Sequence, residues 1–169
     1  AMATLVLLLS LSWSATAREP LEILVTGLEG EPLANVQASL RLEQRRLDDG
    51  LTADTIRALH AGAEKEIRRA LEPFGYYRPE IKTELRPPDK PGRSWEARYT
   101  IDPGPPVPID QVAVRFSGAG AEDPALQDLR DQLMPPAGSA LVHSVYESAK
   151  RTLLGHMKDL GYLDADYTE

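Results

Sequence analysis

Three histidines, a C-terminal run of carboxylates, a glycine pair and a tyrosine pair are the residues in this chain that could do chemistry. His60, His143 and His156 could supply imidazole for proton transfer or metal binding. Two histidines on one helix share a metal when they lie one turn apart on the same face. His143 and His156 are thirteen residues apart and fall on different sides of one predicted helix. His60 falls on the apolar face of another, where a packing or boundary role is expected. Asp164, Asp166 and Glu169 could bind calcium, but they lack the glycine turn and ligand order of an EF-hand. Alternating acids on an extended segment mark its solvated face. Gly118-Ala119-Gly120 looks like the start of a dinucleotide loop, yet position 123, where a third glycine would stand, is Asp. Tyr76-Tyr77 could stack on a ligand. The alternative is that one ring buries over a sheet while the other lines its edge.

With no cysteine, thiol nucleophiles, disulfides and Cys-ligated zinc are excluded. HExxH, G-x-S-x-G and P-loop motifs are absent as well. The residues therefore point to no enzyme, with no cofactor and no metal. A formal net charge of -7 disfavours nucleic acid, because phosphate binding needs clustered Lys and Arg. At 169 residues, 42% hydrophobic and 27% charged, the chain has the length and balance for one or two small globular domains.

The N-terminus carries an address. Leu5–Leu11 is apolar, Ala15-Thr16-Ala17 is a small-x-small pattern, and charge begins at Arg18-Glu19. Residues 1–17 read as a secretory signal peptide cut between Ala17 and Arg18, too short to span a bilayer. No positive stretch precedes the apolar core, so upstream residues are expected to be missing; a buried N-terminal helix is the alternative. A Cys-free exported chain fits a Gram-negative periplasm.

The segments beyond Arg18 must position any site. Leu21, Ile23 and Val25 alternate with Glu22, Leu24 and Thr26, giving a strand that turns at Gly27–Gly30. Leu33, Val36 and Leu40 form the stripe of a helix that Pro32 helps to start and Asp48-Asp49-Gly50 ends. Thr52 can cap a longer helix with the face Ile56, His60, Ala63, Ile67, Leu71 and Phe74. Gly75 suits the left-handed stop after it. Strands at Pro79–Arg86 and Trp95–Asp102 flank a Pro/Gly turn, and Pro103–Pro108 reads as a short stiff linker.

The pattern then repeats. Val112, Val114 and Phe116 predict a strand ending at Gly118, and Leu126, Leu129 and Leu133 repeat the spacing of the first helix. Val142, Tyr146, Ala149, Leu153, Met157 and Leu160 each lie 86 positions after a residue of the first long-helix face, and Gly161-Tyr162 keep that offset from Gly75-Tyr76. Amphipathic periodicity alone would match several of these positions. Element order, turn glycines and helix terminator agree as well, so internal duplication is the reading. The second copy reaches Glu169 inside its second strand, without a third.

Gly75-Tyr76-Tyr77 at a helix end, the Asp102-Pro-Gly-x-x-Val-x-Ile109 junction and a leading V-x-G strand resemble POTRA (polypeptide-transport-associated) domains. Thr26–Gly30, Leu71–Pro79 and Leu85–Pro88 look like the first POTRA domain of the TamA type, and Gly138 to Lys150 resembles the second. The resemblance implies an α+β fold of tandem β-α-α-β-β modules, each a three-stranded mixed sheet packed by two helices. Residues 18–104 would be the first module and 105–169 an incomplete second. It also implies a further POTRA domain, an outer-membrane barrel, and a place on the periplasmic side of the outer membrane of a Gram-negative bacterium. The implied work is autotransporter and outer-membrane protein insertion, with a TamB-like, inner-membrane-anchored protein and unfolded outer-membrane clients as partners. Alternatives are another outer-membrane assembly factor, a two-partner secretion transporter or, remotely, a periplasmic hydrolase.

In that arrangement the second strand, Glu80, Ile81, Lys82, Thr83, Glu84, Leu85 and Arg86, lies at a sheet edge. Its free backbone groups could pair with an extended partner by β-augmentation. The plain alternative is that Lys82, Glu84 and Arg86 guard the edge against aggregation.

Overall fold

The computed structural model describes residues 18–168. The signal-peptide reading falls on residues 1–17, outside them. Strand β1 is Leu21–Thr26. It is followed by helices α1 (Gly30–Ser39), α2 (Arg41–Arg45) and α3 (Ala53–Leu71), then strands β2 (Glu80–Arg86) and β3 (Trp95–Asp102). Helices α4 (Pro124–Leu133) and α5 (His143–Asp159) complete the order. No helix among the described residues is long and apolar enough to cross a membrane.

The three strands form one mixed sheet in the order β1-β3-β2, with β3 parallel to β1 and antiparallel to β2. Trp95, Ala97, Tyr99 and Ile101 alternate inward along the central strand and are all buried. They meet Ile56, Leu59, Ala63, Ile67 and Leu71 from α3 and Val36 from α1. Period 2 on the sheet and period 3.6 on the helix each put their apolar residues on one side, so two layers close one core. Thr52 caps α3 by accepting the Thr55 N–H at 3.3 Å. A 3-10 turn, Glu72–Phe74, follows α3, and Gly75 ends it at φ +84°.

Two local features go beyond the sequence pattern. The chain makes an extra helix, α2, where spacing predicts a single helix before Asp48. Leu40 leaves helical geometry at ψ 111°, and the turn beyond it carries Leu42 into the core, fully buried. His60 takes the boundary position expected of it. Its ring stacks on Tyr99 with centroids 5.4 Å apart, and Nδ1 lies 3.0 Å from the Tyr99 hydroxyl. Burial pushes the imidazole below its ordinary pKa, and burial together with the charge of Glu66 pushes the Tyr99 phenol well above its own.

The C-terminal stretch is less complete. The expected strand Val112–Phe116 is not one: its residues alternate half-buried and exposed but join no ladder. The expected strand after Gly161-Tyr162 is not formed among the described residues either; Tyr162 turns back and donates its hydroxyl to Asp123 at 2.8 Å. The reason is pairing. β1 is held by its ladder to β3, whereas among the described residues no strand lies beside Val112–Phe116 to pair with it. The buried apolar residues are Ile109, Leu126, Ala149 and Leu153, while Val145, Leu160 and Leu163 are more than half exposed. Helix α5 still parallels α3: Ala149 and Leu153 are buried as Ala63 and Ile67 are, and Gly161 at φ +100° matches Gly75. With no sheet beside it among the described residues and few core residues, α5 should exchange its amides with deuterium faster than α3, read by mass spectrometry after pulse labelling. Equal protection of the two helices would contradict this.

Candidate functional site

Strand β2 is at one edge of the sheet. Its register with β3 decides what that edge offers. The Trp95 N–H donates to the Pro20 carbonyl at 2.8 Å, on the β1 side. Backbone direction alternates along a strand, so Trp95, Ala97, Tyr99 and Ile101 all spend their N–H and C=O groups toward β1. Tyr99 C=O accordingly accepts the Thr26 hydroxyl from β1 at 3.4 Å. Glu96, Arg98, Thr100 and Asp102 then face β2, where their partners are Arg86, Glu84, Lys82 and Glu80. The remaining residues of β2, namely Ile81, Thr83 and Leu85, turn their backbone N–H and C=O outward.

The seven residues expected at this edge thus divide into two sets. Glu80, Lys82, Glu84 and Arg86 hold the strand to β3 and present charged side chains on the sheet face away from the helices. An Arg86–Glu84 ion pair of 2.9 Å lies on that face. Ile81, Thr83 and Leu85 supply the unpaired backbone, and their side chains point to the helix side, where Ile81 and Leu85 are half-buried against the core. Arg68 of α3 fixes the start of the edge, donating to the Pro79 carbonyl at 2.9 Å while pairing with Glu64. At the other edge, the chain just ahead of β1 is tied to the α2–α3 loop. Glu19 N–H donates to the Leu51 carbonyl at 3.0 Å, and Arg18 donates to the Leu47 carbonyl at 3.3 Å.

The tyrosine pair does something else. Tyr76 packs against the core. Tyr77 does not line the sheet edge: its hydroxyl lies 2.8 Å from Nε2 of His143, at the start of α5. The Pro103–Pro108 segment is more than a spacer. Val107 N–H donates to the Gly75 carbonyl at 2.8 Å and its carbonyl accepts from Leu141 N–H at 2.9 Å. Helix end, linker and α5 therefore meet at Gly75. A Cβ there would come within 2.8 Å of the Leu141 carbonyl oxygen. Sequence reading missed this junction, because it joins residues 66 positions apart.

No group of three or more His, Asp or Glu that could hold a metal occurs among the described residues. His143 is engaged by Tyr77, and His156 is exposed in the last turn of α5. What the edge can do is pair backbone with backbone.

A protein-family model described as POTRA domain TamA domain 1 matches residues 22–103. That span runs from β1 through β3 and includes all of the sheet but Leu21, its covering helices and the β2 edge. Residues 22–103 of this chain are a POTRA domain of the TamA domain 1 family.

Proposed function

We propose that this chain is a periplasmic part of an outer-membrane protein assembly factor, and that its β2 edge receives an extended strand from a protein partner. The observation that carries the reading is the set of outward backbone groups at Ile81, Thr83 and Leu85 on an uncovered edge. Membership of residues 22–103 in the TamA-type POTRA family supports the cellular setting. Residues 105–169 are proposed as a second, incomplete module of the same kind, on the parallel between α5 and α3. The partners proposed are a TamB-like, inner-membrane-anchored protein and unfolded outer-membrane clients, autotransporters among them. The domain acts by binding and not by catalysis.

The energetics fit a transient contact. Three outward residues offer six backbone groups, each bond giving a net of roughly 0.5–1.5 kcal/mol. Association costs about 4–15 kcal/mol in lost freedom. Backbone pairing alone comes close to break-even, so a lasting dock needs side-chain burial beside Ile81 and Leu85. A transient dock suits a client that must be handed on.

Photo-crosslinking tests the edge. A photoreactive residue replacing Thr83 is expected to capture the TamB-like partner or a client in cells, while one replacing Asp49, exposed in the turn before α3, captures neither. Equal capture at the two positions, or none at Thr83, would rule the edge out.

A further inference from the structure

The side of α3 away from β2 carries a second feature. Arg68 faces β2 through Pro79. Lys65 and Arg69 instead face α1 and α2, where with Ser39, Arg41, Gly62 and Glu66 they line an open groove of about 570 Å³. Three cations and one carboxylate meet here, in a chain whose formal net charge is -7.

The carboxylate is already committed. Glu66 is largely buried, with 16% of its side chain exposed. One of its oxygens accepts Nε of Arg41 and the other accepts the Arg41 backbone N–H at 3.0 Å. This fixes Arg41 across the groove, with one terminal guanidinium nitrogen, Nη2, lying over Gly62 of α3. Lys65 and Arg69, both exposed, have no carboxylate within ion-pair distance among the described residues. They are like charges at i, i+4, an arrangement that destabilises a helix. Gly62 is a second local cost. It sits in the middle of α3, where glycine is a poor helix former. A Cβ at Gly62 would stand 3.0 Å from an Arg41 guanidinium nitrogen, so the glycine leaves room for Arg41 to lie over the helix. The glycine and the like-charged pair thus leave three cations around a groove whose one carboxylate is already paired with Arg41.

We infer that this groove binds an extended acidic segment of a protein, with carboxylates on alternate residues. The spacing favours that ligand. Lys65 and Arg69 are one turn apart, about 6 Å along the helix axis. Alternate residues of an extended chain are about 6.5–7 Å apart on one side. Consecutive same-side carboxylates can therefore meet Lys65 and Arg69, with Arg41 opposite. The site is separate from the β2 edge, and its test stands or falls separately.

The probe is a neutral-dye-labelled peptide with Asp at alternate positions, titrated with the full chain and followed by fluorescence anisotropy. Binding should weaken as salt is raised, because exposed charges are screened. The double variant Lys65→Gln/Arg69→Gln should weaken it about five- to tenfold. Gly62→Ala should also weaken binding by displacing Arg41 while melting no lower than the parent, which separates the groove from a folding defect. Lys90→Gln, which removes an exposed cation of the β2–β3 turn that does not line the groove, should leave the affinity unchanged. An Asn-for-Asp peptide that binds as well, or an unaltered affinity in the double variant, would overturn the inference. So would displacement of the peptide by millimolar inorganic phosphate, which would mark a simple anion pocket.

Discussion

Thr83→Pro is expected to weaken binding of the proposed TamB-like partner about tenfold while leaving the far-UV circular dichroism nearly unchanged. The direction follows from the sheet's phase. Thr83 stands opposite Tyr99, whose backbone groups are spent on β1, so the Thr83 N–H faces the open edge. Proline there removes an outward donor at the middle of the docking strand and leaves the ladder to β3 intact. The partner's carbonyl then loses its bond and is desolvated for nothing, at a cost of about 1–3 kcal/mol. About 1.4 kcal/mol is a factor of ten in affinity. Lys82→Pro is the contrasting control. Lys82 pairs with Thr100 through its backbone, so its replacement breaks the ladder and should destabilise the domain itself by at least about 1–3 kcal/mol. If Thr83→Pro binds normally in a titration, backbone pairing at this edge is wrong. If both variants unfold alike, the inferred phase is wrong.

Gly75→Val should give the larger loss of stability of two matched glycine substitutions. Gly75 is buried at φ +84°, and a side chain would press on the Leu141 backbone oxygen, which cannot swing aside as a flexible side chain can. Gly92, in the β2–β3 turn, has nearly the same φ, +83°, with nothing within 4 Å of an added Cβ. Both variants carry the strain of a β-branched residue in the left-handed region, about 1–3 kcal/mol. Only Gly75→Val also forces apart the junction where Gly75, Val107 and Leu141 are joined by backbone hydrogen bonds. Its melting temperature should therefore fall further than that of Gly92→Val, and the His143 ring resonances should move as the Tyr77 contact is lost. Equal melting losses with an unmoved His143 would mean that the junction contributes nothing.

If both proposals hold, the domain has two kinds of contact on two sides of α3: backbone pairing at β2, and charge pairing between α1, α2 and α3. The first is indifferent to partner sequence; the second discriminates by carboxylate placement and weakens with salt. Together they would let one domain combine a permissive site with a selective one.

The sequence by itself determined what is local. Alternation in Leu21–Thr26 and Trp95–Asp102, the helical stripe through Ile56, Ala63, Ile67 and Leu71, the Thr52 cap and the Gly75 stop all emerge where their spacing places them. Each depends on residues within a few positions of one another, so spacing suffices. The tertiary structure decided the rest. Helix α2 exists because Leu42 finds a place in the core, and five residues are too few to announce a helix by periodicity. Val112–Phe116 has the alternation of a strand yet is none, because a strand needs a neighbour to pair with. Which residues of Glu80–Arg86 offer their backbone to a partner was likewise not in those seven letters. It is set by the phase of β3 against β1, a relation between segments more than 70 residues apart.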